Sequence, residues 1–162
     1  MIETPFARAR SVVLPEWIDY NGHMNVGYYH VAFDTAAEPF FEWLGLTAEF
    51  RERHGSSTFA LESHLHFVRE VHAGDRLRFE ARLLDHDHKR LHFYQEMFHE
   101  TGGYLAATYE SLTVHVDFAT RRTSPMPEAL SRRLAQVLAA HGALERPWQV
   151  GHVISTAPPR RR

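Results

Sequence analysis

Apolar side chains recur along this chain with two periods, and the switches between them divide it into elements. From Val26 the spacing is three and four, through Val26, Tyr29, Phe33, Ala36, Ala37, Phe40 and Leu44, which predicts a helix with one apolar stripe. Asn25 suits its N-cap, because the side-chain oxygen can accept from an early helix amide, and Gly45 is a natural stop. Pro39 removes one helical hydrogen bond, so a kink or a helix in two pieces is expected. After a polar stretch at 49–57 the period drops to two. In TFALESHLHFVREV (58–71), Phe59, Leu61, Leu65, Phe67 and Val71 point one way and Glu62, His64, His66 and Glu70 the other, the mark of a strand with one wet face.

The alternation repeats at Leu77, Phe79, Ala81 and Leu83, over 90–100 and over 104–118, with turns at Ala73–Asp75, Asp85–Lys89 and Gly102–Gly103. A first strand at 6–14 (FARARSVVL) stops at Pro15. Residues 128–141 carry Leu130, Leu134, Val137 and Leu138 at helical spacing, and a loose tail follows from Pro147. Strands joined by tight turns run antiparallel, and their apolar face needs a cover. The 26–44 helix offers one. The predicted fold is α+β: a curved antiparallel β-sheet wrapped around a long central α-helix, one domain over 1–146 with a C-terminal tail at 147–162.

Composition narrows the chemistry. The chain has 162 residues and a formal charge of −2, giving no basic face for nucleic acid. It has no cysteine, which excludes disulfides, thiolate zinc sites and a Cys nucleophile. No run approaches the roughly 18 apolar residues a membrane helix needs, and MIETPFARAR lacks a signal-peptide core; a cytoplasmic location is expected. Thirteen histidines include the pairs His64/His66 and His86/His88, but the spacing fits no zinc-enzyme motif and reads as strand histidines without a metal.

The segment WIDYNGHMNVGYY (17–29) places one carboxylate, Asp19, ahead of the helix start. A helix N-terminus presents unpaired amides and partial positive charge, which suits an oxyanion forming on a carbonyl. A carboxylate one turn upstream, with Gly22 allowing close backbone approach, can attack that carbonyl or activate water against it. Spacing alone leaves a second reading open: an Asx-Gly turn whose acid merely stabilises the helix by about 0.3–1 kcal/mol.

Asp19, Gly22, His23 and Asn25, in the frame D-x-x-G-H-x-N, resemble the active-site loop of the hotdog-fold acyl-CoA thioesterases of the 4-hydroxybenzoyl-CoA thioesterase type. The element order over 6–118 and the stretch HFVREV at 66–71 followed by Gly74-Asp75 resemble that family too. The resemblance implies hydrolysis of an acyl-CoA to a carboxylic acid and coenzyme A. Asp19 would be nucleophile or general base, the Val26 N–H would polarise the thioester carbonyl, and His23 and Asn25 would position substrate or water. Coenzyme A would meet Lys89 and Arg90, and more weakly Arg69 and Arg121, and no metal or redox cofactor is implied. Many members carry a second acid two positions before the catalytic one, where this chain has Trp17. PEWIDYNGHM is closer to the thioesterase domain fused to some carnitine dehydrogenases, which implies a betainyl-CoA substrate; Trp17, Tyr20 and Tyr28 could then cage a quaternary ammonium. Glu62 is a second candidate acid, or a partner for His64. The resemblance also implies a homodimer, or a homotetramer built as a dimer of dimers, with Tyr94 and Phe98 opposite Phe93 and Met97 as interface candidates. Two other readings stay open: a hotdog-fold dehydratase using His23 with Asp34 or Glu38, and a non-catalytic acyl-CoA-binding protein.

Overall fold

The structure is a computed structural model that describes residues 2–157. Helix α1 (Val26–Leu44) forms where the three-and-four spacing places it. Asn25 Oδ1 accepts from the Gly27 N–H at 3.0 Å, and Gly45 closes the helix at φ 112°, a left-handed conformation that favours glycine. The helix is one element rather than two, with Pro39 inside it. The carbonyl that loses its amide partner belongs to Thr35, on the exposed side where water can replace it. Tyr29, Phe33, Ala36, Ala37, Phe40 and Leu44 are buried, whereas Val26 is 60% exposed and lies outside the stripe.

With β1 at Arg10–Val12 and β2 at Ser56–Phe67, the sheet has the order β1-β3-β4-β5-β2, with β6 (Arg122–Thr123) on β5, and every pairing is antiparallel. Strand β3 is Arg76–His86, β4 Arg90–His99 and β5 Leu105–Asp117. Its inner face holds Leu77, Phe79, Ala81, Leu83, Leu91, Phe93 and Met97 and curls around α1, where Phe33 stacks on Tyr109 and meets Phe79 edge-on. The expected first strand is broken. Only Arg10–Val12 (β1) is regular, and Phe6 bridges separately to Ala81. Helix α2 (Ala48–His54) occupies most of the polar stretch, to which the sequence pattern assigns no element; Thr47 Oγ1 caps it at the Phe50 N–H and Gly55 ends it. Helix α3 (Glu128–His141) follows the sheet and buries Leu130, Leu134 and Val137.

Strand β2 (Ser56–Phe67) departs from the sequence reading. A bulge lies between Ala60 and Glu62: Ala60 pairs with Thr113, and Glu62 with Leu112. One extra residue exchanges the faces of everything before it. Leu65 and Phe67 therefore point inward, while Phe59 shares the outer face with Glu62, His64 and His66.

The outer face is not bare. Beyond α3 the chain crosses it: Arg82 Nη1 donates to the Glu145 carbonyl at 2.9 Å, and the Gly151 N–H donates to Glu110 Oε2 at 2.8 Å. Trp148 meets His66 edge-on. Tyr94, expected at a subunit interface, is fully buried within the one chain. Phe98 lies under the Arg78 guanidinium. The tail from Pro147 is thus seated on the sheet through His152, and its last residues, 158–162, lie outside the described ones. Among the described residues no helix is long and apolar enough to cross a membrane.

Candidate active site

Residues 17–25 form a small pinned loop. Ile18 bridges Met24, the Asn25 N–H donates to the Trp17 carbonyl at 2.9 Å, and the Gly22 N–H donates to the Asp19 carbonyl at 3.0 Å. Gly22 stands at φ 82°, which a residue with a Cβ adopts only with strain. The Met24 N–H donates to the Val71 carbonyl at 2.9 Å, fixing the loop to the segment after β2.

The Asp19 carboxylate is held from two sides. Oδ1 accepts from the Asn21 N–H at 2.8 Å, and Oδ2 faces the donor Asn25 Nδ2 at 3.4 Å. Asp19 is half-buried and makes no ion pair among the described residues, so its charge remains available. Asn25 works in both directions, since its Oδ1 also caps α1. At the helix start the Gly27 N–H goes to Asn25 Oδ1 and the Tyr28 N–H to the Asn25 carbonyl. The Val26 N–H has no acceptor among the described residues. A carboxylate and one unspent amide thus share a single helix turn, and the amide carries the partial positive charge of the helix end. His23 belongs to the same loop, with Nδ1 3.2 Å from the Met24 carbonyl.

The structure brings Asp19, His23, Asn25 and Val26 together. Arg69 lies at the same end of the sheet, its guanidinium 4.0 Å over the Tyr104 ring. Lys89 and Arg90 do not join them within one chain. They occupy the β3–β4 turn at the opposite end of strands roughly 35 Å long, at about 3.3 Å per residue. Asp87 shapes that turn. Burial pushes its carboxyl up, but donors from the Arg90 side chain and the Lys89 and Arg90 amides outweigh this and hold it well below the usual carboxylate range. Arg121 lies over Phe59 at the β5–β6 turn, also at the far end.

The remaining candidates part company. Trp17 and Tyr28 stack face to face, 5.6 Å between centroids and 11° apart in plane, while Tyr20 is 97% exposed. Trp17 and Tyr28 thus cover each other's faces, and Tyr20 stands in solvent. Glu62 is exposed on the outer face beside His64, on the far side of the sheet from α1. Asp34 and Glu38 stand two and three turns along α1 and do not converge on His23. No group of three or more His, Asp or Glu residues that could hold a metal occurs among the described residues.

Residues 13–134 match the Thioesterase-like superfamily. The betainyl-CoA thioesterase of Pseudomonas aeruginosa is 37% identical over 91% of this chain and 93% of its own length. The L-carnitine dehydrogenase/betainyl-CoA thioesterase of Ruegeria pomeroyi is 36% identical over 90% of this chain, which spans 29% of that longer protein. A hypothetical protein of Staphylococcus aureus solved in complex with CoA superposes with a TM-score of 0.87 at 30% identity, covering 97% of this chain and 98% of the other. A DHNA-CoA thioesterase of the same organism, at 15% identity and a TM-score of 0.75, shares the fold.

Proposed function

We propose that Asp19 is the catalytic carboxylate of this chain, which belongs to the thioesterase-like superfamily and hydrolyses acyl-CoA thioesters. One observation carries the reading: Asn25 faces Asp19 from the same helix turn whose first N–H, at Val26, is unspent. A thioester oxygen that accepts this N–H is stabilised most as negative charge builds on it. Asp19 either adds to the carbonyl carbon, forming a mixed anhydride that water then cleaves, or takes a proton from a water whose oxygen adds to that carbon. On both routes the oxyanion collapses, the C–S bond breaks and the sulfur leaves to take up a proton. One water is consumed, and a carboxylic acid and free coenzyme A result. His23 and Asn25 position substrate or water. Coenzyme A is part of the substrate rather than a cofactor, and the proposed steps call on no metal or redox group. A single turnover in heavy-oxygen water that leaves label in Asp19 establishes the first route, with water attacking the aspartyl carbon of the anhydride, because the second route never labels the enzyme.

The acyl group is betainyl, supported by the extent of the likeness to the Pseudomonas aeruginosa enzyme. A thiol-release screen over acyl-CoAs tests this. Betainyl-CoA should give the highest kcat/KM, and an equal or higher value for tert-butylacetyl-CoA, its uncharged equal in shape, would overturn it.

The same reading makes the protein a cytoplasmic homodimer, alone or paired into a tetramer, joined through β2. That strand is an edge of 12 residues. Phe59, Leu61 and Phe67 on it are 38%, 57% and 48% exposed, a large apolar edge for a chain to leave unpaired. Antiparallel β2–β2 pairing turns the partner's sheet end for end. Lys89 and Arg90 of the partner subunit then lie toward the same end as Asp19 and Arg69, where together they meet the coenzyme A phosphates.

A further inference from the structure

Beside the outer face of β2 lies one exposed apolar residue that the strand does not supply, Val153, and Ile154 follows it in the chain. The segment after α3 crosses the outer face from β3, at Arg82, to the last strand of the sheet. There the His152 ring stacks on His64 with centroids 6.2 Å apart and meets His66 edge-on at 6.4 Å. Val153 follows beside Glu62 and Ser63, in the lining of an outer-face cavity of about 390 Å³. Having reached the edge, the chain presents Val153 and Ile154 at 78% and 84% exposure. Leu61, the residue before Glu62, is itself 57% exposed at the β2 bulge.

We propose that Val153 and Ile154 form a clasp that carries each chain across the β2 edge onto the outer face of a second copy. The proposal rests on the homodimer reading above. Position argues for a second copy as the occupant. The midpoint of β2 falls between Leu61 and Glu62, and a two-fold axis through an antiparallel strand pair passes near the midpoint of each strand. A patch there meets its own copy, which is the self-complementarity an isologous interface requires. Reach agrees. Two residues extend roughly 6–7 Å, and the next strand lies about 4.8 Å away. The clasp also gives a role to the residues after α3, which Arg82, Glu110, His64 and His66 hold against the sheet.

The test is sedimentation over a dilution series of the full chain, comparing wild type with Val153→Glu/Ile154→Glu and with Val12→Glu. Val12 is 42% exposed on β1, the opposite edge. The clasp variant should raise the dimer dissociation constant by about tenfold or more, since two apolar side chains lose their burial. Its circular dichroism should match wild type, and Val12→Glu should leave the constant unchanged. A dimer whose dissociation constant does not respond to Val153→Glu/Ile154→Glu overturns the clasp and leaves the homodimer standing. A wild type that sediments as a monomer overturns the homodimer reading and the clasp with it.

Discussion

Asn25→Asp separates helix capping from catalysis at one position. Aspartate caps a helix about as well as asparagine, and its charge suits the N-terminus. The Gly27 N–H keeps its acceptor, so the helix end itself loses no stability, and any fall in melting temperature comes from the Asp19 contact, at about 2–4 °C per kcal/mol for a chain of this size. Toward Asp19 the change is adverse, because a donor 3.4 Å from Oδ2 becomes a second carboxylate. Losing a hydrogen bond to a charged group costs about 1.5–3 kcal/mol, and a bond this long sits at the low end. Two like charges about 4 Å apart repel by about 4 kcal/mol at an effective dielectric constant near 20. Asp19 is only half-buried, so screening cuts that to about 1 kcal/mol. The sum, about 2–3 kcal/mol, corresponds to a fall in kcat/KM of roughly 30- to 150-fold. Thiol release from betainyl-CoA beside a thermal melt measures both quantities. Activity within about threefold of wild type with an unchanged melt would refute the role given to Asn25 in steering Asp19.

His141 accepts from the Leu83 N–H at Nδ1 and lies 2.9 Å from the Glu3 carbonyl at Nε2. Burial pushes its pKa down, partly opposed by that carbonyl, and burial does the same for His66. The unfolded chain therefore binds more protons, and stability falls as pH drops through about 6.5 and below, by up to about 1.4 kcal/mol per pH unit per group. A melting temperature that stays flat between about pH 7 and 5 would contradict this. Gly22→Ala meets no atom within 4 Å, so its cost is backbone strain alone, about 1–2 kcal/mol, read as a lower melting temperature with slower hydrolysis. Mixed dimers of an Asp19→Asn chain and a Lys89→Ala/Arg90→Ala chain should recover hydrolysis that neither parent shows, since one site then has its own Asp19 and the partner's intact turn. Absence of recovery would mean that the turn does not act across the interface.

The long periodic elements were legible because each repeats one signal many times. The 26–44 stripe, its Asn25 cap and its Gly45 stop all appear where the spacing puts them, and the alternation from Leu77 to Leu83 is the inner face of β3. The bulge in β2 was not legible. Phe59, Leu61, Leu65 and Phe67 alternate without a break, and only pairing with β5 shows that one residue is skipped. Helix α2 was readable in principle from Thr47 and Gly55, but its polar surface hid the period. At the site, Asp19 and the Val26 amide follow from local sequence, because the loop folds on itself. The separation of Lys89 and Arg90 from them is a matter of strand direction and length. The tail's seat on the outer face escaped for a related reason: single contacts from Trp148, Gly151 and His152 leave no periodic trace.

The most direct measurement is Asp19→Asn, assayed for hydrolysis and, separately, for coenzyme A binding by calorimetry. Removing a positioned acid–base group typically costs about 10²–10⁴-fold in rate. Hydrolysis should fall by that much, while coenzyme A binds with an affinity close to wild type and the melt is preserved. Turnover that persists within about tenfold of wild type would contradict the assignment of Asp19 as the group that acts on the thioester.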